Sequence, residues 1–240
     1  MSREINKTSH VIVNGSVAQQ VTEILTRQLI EGKFKEGDFL PTEEELCHEF
    51  GIGRSSVREA IKTLESRGLV RKQQGKGVVV IDETIQATAE MLKITLDYKN
   101  ISLKDMVDFR IAMEIKLAEM AAMNATDEDI ASMRECLDLM KGGEEFSFKE
   151  FAQYDYQFHQ SVANASRNSI SILIMQTLRP ILYDQISITV GPDFNPERAI
   201  QLHETIFNEI KNHHIKAAGQ AMATHLNETH RIISELGSAS

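Results

Sequence analysis

Two cysteines in 240 residues, Cys47 and Cys136, are too few and too far apart for a disulfide framework or a cysteine-type metal pair. Each reads as a small buried hydrophobe or an inert thiol in a reducing compartment. No apolar run approaches the roughly 20 residues that span a bilayer. The opening residues, MSREINKTSH, lack the apolar core of a signal peptide. No membrane partner is therefore expected, and the cytoplasm is the expected compartment. Internal repeats and low-complexity tracts are also missing, which leaves ordinary globular folding. A chain of this length supports one or two domains with a real core, and 42% hydrophobic with 25% charged residues is ordinary for such chains.

One further shortage is local. The chain carries a formal charge of −9, yet between Arg54 and Lys76 only two acidic residues, Glu59 and Glu65, stand against seven basic ones, a local charge of +5. Residues 1–82 hold 12 basic and 12 acidic residues, so the remaining 14 basic and 23 acidic residues carry the whole −9. An acidic second region is repelled by phosphate, so contact with nucleic acid is expected from the first region alone.

The basic stretch has the layout of a DNA-reading device. Thr42 followed by Glu45 fits a capping box and predicts a short helix from about Glu43 to Phe50. Gly51 and Gly53 supply a tight turn. Val57, Ala60, Ile61 and Leu64 then recur at the spacing of one helical face, with Arg54, Ser55, Ser56, Arg58, Lys62 and Thr63 elsewhere on the surface. Gly68 ends this second helix. Leu69–Lys72 and Gly77–Ile81 read as two short strands around the tip Gln73-Gln74-Gly75-Lys76, the wing of a winged helix-turn-helix. Upstream, Val17, Val21, Ile24, Leu25, Leu29 and Ile30 mark an amphipathic helix packed behind the motif, and residues 1–15 read as a mobile arm.

The run from Leu29, LIEGKFKEGDFLPTEEELCHEFGIGRSSVREAIKTLESRGLVRKQQGKGVVV, closely resembles the winged-helix domain of the GntR family of bacterial transcription regulators. The resemblance implies DNA contacts at Arg54, Ser55, Ser56 and Arg58 on the recognition helix and at Gln74, Gly75 and Gly77 on the wing. It implies a homodimer on a pseudo-palindromic double-stranded operator, in the bacterial cytoplasm and on the nucleoid when DNA-bound. Glu44 stands where the best-studied fatty-acid-responsive member has a base-reading arginine, so that member's operator does not carry over.

Beyond Asp82 no strand pattern appears. Helices are expected at about 84–97, 103–123, 127–141, 146–165, 168–189, 196–212 and 215–235, with a start at Thr126, a break at Gly142-Gly143, a loop over Pro192–Pro196 and a kink at Pro180. The expected fold is mainly α: a winged helix-turn-helix with a small β-hairpin over 16–82, then an all-helical antiparallel bundle over 83–236.

Within that bundle Asp155 and His159 are four residues apart, on one face of a helix, and His203 and His225 fall among apolar neighbours on two later helices. One carboxylate and three imidazoles suit a divalent Zn, Ni, Mn or Co ion with positions left for water or a ligand. A lone histidine on an apolar face is more often a core residue, and His10, His48, His213, His214 and His230 are read as surface or structural. Glu204 directly follows His203 and points away on a helix, so no general base accompanies the ligands and an enzyme is not expected.

FRIAMEIKLAEMAA (109–122), DYQFHQSVANASRN (155–168), LHETIFNEI (202–210) and AGQAMATHL (218–226) resemble the helical effector domain of the FadR subfamily, the FCD domain. This implies a divalent metal on Asp155, His159, His203 and His225, and a small carboxylate effector with Arg110 as its partner. From spacing alone, Arg110 equally forms an intrahelical ion pair with Glu114. The implied function is a regulator, a repressor in the commoner mode, controlled by a carboxylic acid at a metal-containing pocket. The alternatives are a metal acting alone as signal or as structural support, and a metalloenzyme fused to a DNA-binding domain.

Overall fold

In the computed structural model, residues 15–142, 147–190 and 194–238 are described, with side chains to residue 235. The expected arm lies outside them but for Gly15, as do His10, Gly143, Phe146 and residues 192–193 of the Pro192–Pro196 loop.

The first two helices begin on a side chain that satisfies an orphan donor. Ser16 and Gln19 form a capping box for α1 (Val17–Ile30), and Thr42 and Glu45 do so for α2 (Glu43–Phe50). Gly51, at φ 65°, turns the chain into α3 (Arg54–Ser66). Val57, Ala60, Ile61 and Leu64 are buried as the periodicity requires, against Val21 and Leu25 of α1 and Leu46 of α2. The buried stripe of α1 is instead Ala18, Val21, Thr22 and Leu25, while Val17 and Ile30 are exposed. Both lie at the helix ends, out of phase with that stripe. Thr22 takes a core position because its hydroxyl donates to the Ala18 carbonyl at 2.8 Å.

Strands β1 (Val70–Gln73) and β2 (Gly77–Val80) form an antiparallel hairpin pairing Val70 with Val80 and Gln73 with Gly77. The first strand starts one residue later than expected because the Leu69 amide still donates to Leu64 at the end of α3. Residues 37–40 run along the far side of β2: Leu40 donates to Val78, and Val80 donates to Asp38, both at 2.8 Å.

Contacts divide the chain at Thr88/Ala89, inside α4 (Thr84–Tyr98). The second unit continues with α5 (Leu103–Asn124), α6 (Asp127–Met140), α7 (Phe148–Ala165), α8 (Ser169–Thr189), α9 (Pro196–Lys211) and α10 (Ile215–Ser238). Ser102 and Thr126 cap α5 and α6 through capping boxes with Asp105 and Asp129, and Asn195 caps α9 with Pro196 in its first turn. Helix α8 runs through Pro180. The long α5 packs along α10, α7 and α9, and one continuous core, including Leu117, Leu137, Phe151, Phe158, Phe207 and Leu226, joins the helices. Arg110, Glu114, Asp155, His159, Gln185, His203 and His225 are buried polar side chains in this unit.

Candidate nucleic-acid interface and candidate metal centre

The recognition helix opens on Gly53, which offers no side-chain cap, and its first turn contains no acid. Uncapped N–H groups and the positive end of the helix dipole make this terminus receptive to an anion. Arg54, Ser55 and Arg58 are exposed here and Ser56 half-buried, so the structure brings these four sequence-expected residues to one end of α3. At the wing, Gln74, Gly75 and Gly77 are exposed. Gly75 sits at φ 74° with open space where a Cβ would be, and Gly77 at φ 120° lies against Phe39.

One participant was missed. Glu43, read from the sequence only as a helix start, accepts from Arg58 Nε at 2.7 Å and lies 3.4 Å from Lys72 Nζ. Hydrogen bonds from Arg58, and secondarily Lys72, hold its carboxyl below the usual range against the opposing effect of desolvation. Arg54 lies 3.8 Å from Glu44, with both side chains exposed. Arg71 is ion-paired to Glu83.

In the helical unit, Asp155 and His159 on α7, His203 on α9 and His225 on α10 converge, and one ligating atom from each lies within 4.8 Å of all the others. All four are buried. Their partners decide which ring nitrogen faces inward. The His203 Nδ1–H donates to the Ala199 carbonyl at 2.8 Å, which leaves Nε2 as the lone-pair nitrogen of the neutral ring. That Nε2 is buried and makes no hydrogen bond, although Asp155 Oδ2 lies only 3.2 Å away. His159 Nδ1 is bonded to the Glu114 carboxylate, so its Nε2 also faces inward, 3.1 Å from His225 Nε2 and 3.7 Å from Asp155 Oδ1. A carboxylate oxygen and imidazole lone pairs directed at one point are the donor set a borderline divalent ion requires. The orphaned Nε2 supports that fit, since a buried acceptor without a partner costs free energy.

The electrostatics keep Asp155 and His225 in ligand form. Burial alone would raise the Asp155 and Glu114 carboxyls, but attraction and hydrogen bonding to their neighbours outweigh it: His203, then His159 and Arg110, bring Asp155 to about 2, and Arg110 and His159 bring Glu114 to about 2. Burial, followed by repulsion from His203, His159 and Arg110, pushes His225 well below the ordinary imidazole value, so it is neutral at neutral pH.

Arg110 does pair with Glu114, Nε to Oε1 at 2.7 Å, but the pair is buried rather than a solvated surface contact. Its Nη1 donates to Gln185 Oε1 at 2.9 Å. A chain of contacts thus runs Gln185–Arg110–Glu114–His159. Glu114 was visible from sequence only as the i,i+4 partner of Arg110, and Gln185 not at all, because their contacts to His159 and Arg110 span 45 and 75 residues. Since arginine only donates, the Gln185 amide orientation is fixed, which leaves its buried Nε2 without an acceptor. Glu204 turns away to Lys141 Nζ at 2.9 Å, as expected.

The wider comparisons agree with both halves. Residues 17–80 match the family described as "Bacterial regulatory proteins, gntR family", and residues 105–228, more than half of the chain, match the FCD domain. The "HTH-type transcriptional repressor NanR" of Edwardsiella tarda (strain FL6-60) is 30% identical over 222 residues, covering 90% of this chain and 85% of its own. The "Galactonate operon transcriptional repressor" of Escherichia coli (strain K12) is 26% identical over 240 residues, covering 97% and 99%. The "Glc operon transcriptional activator" of the same strain is 26% identical over 229 residues, covering 92% and 90%. Among solved structures, a Streptococcus agalactiae GntR shares the fold at TM-score 0.73 and 21% identity, over 90% of this chain and 99% of that one.

Proposed function

Because the chain belongs to the gntR family of bacterial regulatory proteins and carries an FCD domain, which makes it a DNA-binding transcriptional regulator and not an enzyme, we propose that its DNA affinity is set by a small carboxylic acid bound beside a divalent metal in the helical domain. The orphaned His203 Nε2 facing Asp155 carries this reading. Asp155, His159, His203 and His225 would hold the ion, which when bound supplies a Lewis-acidic anchor for a carboxylate. Glu114 orients His159 from behind by accepting a hydrogen bond from its Nδ1–H.

The acid class is supported by the second orphan. Gln185 Nε2 needs an acceptor, and Arg110 beside it is a cation; together they favour an anion with oxygen acceptors. One relative is named for the galactonate operon, and galactonate is a hydroxylated carboxylate.

On DNA, two copies would place their α3 helices in successive major grooves of a pseudo-palindromic site. Arg54, Ser55, Ser56 and Arg58 would supply phosphate and base contacts, and Gln74, Gly75 and Gly77 would approach the minor groove from the wing. The exposure of all of these residues but the half-buried Ser56, and the uncapped start of α3, support that assignment. The acid would release DNA by favouring the arrangement of the two copies that binds it poorly, which is repression relieved by effector. That sense is supported by repressors among the relatives.

The test is fluorescence anisotropy of the metal-loaded full chain on a duplex selected from a randomised library. A hydroxy or sugar acid should release DNA from the wild type but not from His203→Ala. If metal alone changes DNA affinity and no acid does, the ion itself is the signal and the acid reading is wrong.

A further inference from the structure

The first turn of α2 carries three consecutive glutamates beside a helix assigned to DNA, an arrangement that ought to weaken binding. They are not equivalent. Glu45 is occupied by the capping box, bonded to the amide and hydroxyl of Thr42. Glu44 is exposed and lies 3.8 Å from an equally exposed Arg54, a geometry of little energetic consequence.

Glu43 is held differently. Its side chain is 23% exposed and its two oxygens go to two elements, Oε2 to Arg58 Nε of α3 at 2.7 Å and Oε1 to Lys72 Nζ of β1 at 3.4 Å. The first is a charge-assisted bond of good length, the second a looser ion pair. Which nitrogen of Arg58 is taken matters. A guanidinium has five N–H donors in a plane, and the bond to Nε leaves Nη1 and Nη2 without a protein partner among the described residues, on a side chain 59% exposed. A free arginine samples many rotamers, whereas one anchored through Nε has its plane fixed and its terminal fork presented outward. That fork is the pair of donors that matches guanine O6 and N7.

We propose that Glu43 is a positioning residue for sequence readout, anchoring Arg58 through Nε so that its Nη fork meets a guanine edge, and tethering the Lys72 end of the wing to the recognition helix. The inference rests on Arg58 being a DNA contact. Glu43 also subtracts one unit of attraction for any phosphate backbone, so its two effects act in the same direction. Base discrimination rises through the ordered fork, and sequence-independent affinity falls through charge.

The full-length chain and its Glu43→Ala, Glu43→Gln and Arg58→Ala variants are measured on the duplex selected by the wild type and on poly(dA-dT), which lacks guanine, at one salt concentration. Glu43→Ala should bind poly(dA-dT) a few-fold more tightly while its ratio of selected to non-specific affinity falls about tenfold, the loss of one well-made base contact. Glu43→Gln keeps an acceptor for Nε and should retain most of the ratio. Glu43→Ala on top of Arg58→Ala should lower the ratio no further. Damage to the fold would weaken both affinities together, the opposite sign on poly(dA-dT). The proposal is overturned if Glu43→Ala leaves the ratio within twofold of wild type, weakens both duplexes alike, or multiplies with Arg58→Ala. A separate failure, Arg58→Ala with an unchanged ratio, overturns Arg58 as a base contact and the clasp with it.

Discussion

His203 Nε2 and Asp155 Oδ2 face each other at 3.2 Å in a buried site without a hydrogen bond between them, while the His203 Nδ1–H is given to the Ala199 carbonyl. Two acceptors in that position repel unless a cation stands between them. Addition of Zn or Ni should therefore raise the melting temperature of the full chain, and a chelator should reverse the rise. His203→Ala should melt in the same temperature range without metal and show no metal-dependent rise. Calorimetric titration gives the matching count, one ion per chain for the wild type and none for the variant.

Glu114 is buried between Arg110 and His159. Glu114→Ala would leave the Arg110 guanidinium buried without its counter-charge, a loss of about 3–5 kcal/mol. Glu114→Gln keeps a hydrogen-bond acceptor for His159 but not the charge, and should lower metal affinity about tenfold to a hundredfold, as for other residues that orient ligands from behind. Denaturant titration and metal titration of the two variants separate these effects; equal metal affinity in Glu114→Gln and wild type would show that Glu114 does not tune His159.

Acid should destabilise the metal-free chain in two stages. His225 is neutral in the fold because burial and adjacent cations push its pKa down. The unfolded chain takes up the proton as pH falls below about 6.5, so stability drops on acidification by up to about 1.4 kcal/mol per pH unit for this one group. Asp155 and Glu114, each at about 2 in the fold, stabilise it above their ordinary values of 3.8 and 4.5, and that contribution is lost as pH falls through those values toward 2. Melting temperature against pH should fall from neutrality downward, and His225→Gln should flatten the first stage only.

Two glycines with nearly the same backbone angle should respond differently to alanine. Gly68, at φ 72°, would place a Cβ 2.4 Å from the Glu83 carbonyl oxygen, whereas Gly75, at φ 74°, has open space. Gly75→Ala should cost about 1 kcal/mol, the left-handed penalty alone. Gly68→Ala must also displace backbone and should cost several kcal/mol in total, on the order of the largest single-site effects. Thermal unfolding of the two variants checks this.

What could be read from the sequence follows the range of the signal. Thr42, Thr126, Gly51 and Gly68 act within a few residues, and the helix ends that they set fall within about two residues of expectation. The core stripe of α3 was equally plain, because one helix face needs only local spacing. Residues 37–40 gave no strand signal, since a short segment beside Gly37 and Pro41 shows no alternation, and its pairing partner is 40 residues on. The Asp155, His159, His203 and His225 set was visible as residue types, but their convergence depends on three helices meeting. Arg110 and Glu114 were seen as an i,i+4 pair; their burial was not, because it comes from α10, α7 and α9 packing around α5. Val17 and Ile30 mark the reverse error, apolar residues at helix ends that are exposed rather than part of the core.

The most direct measurement is a thermal-shift screen of the full chain against hydroxy acids, sugar acids and dicarboxylates, with and without Zn or Ni, on wild type and His203→Ala. The expected result is that at least one acid raises the melting temperature of the metal-loaded wild type and leaves His203→Ala unmoved. An acid that stabilises both proteins equally, or a wild type that no acid stabilises with metal present, would contradict the metal-anchored effector pocket.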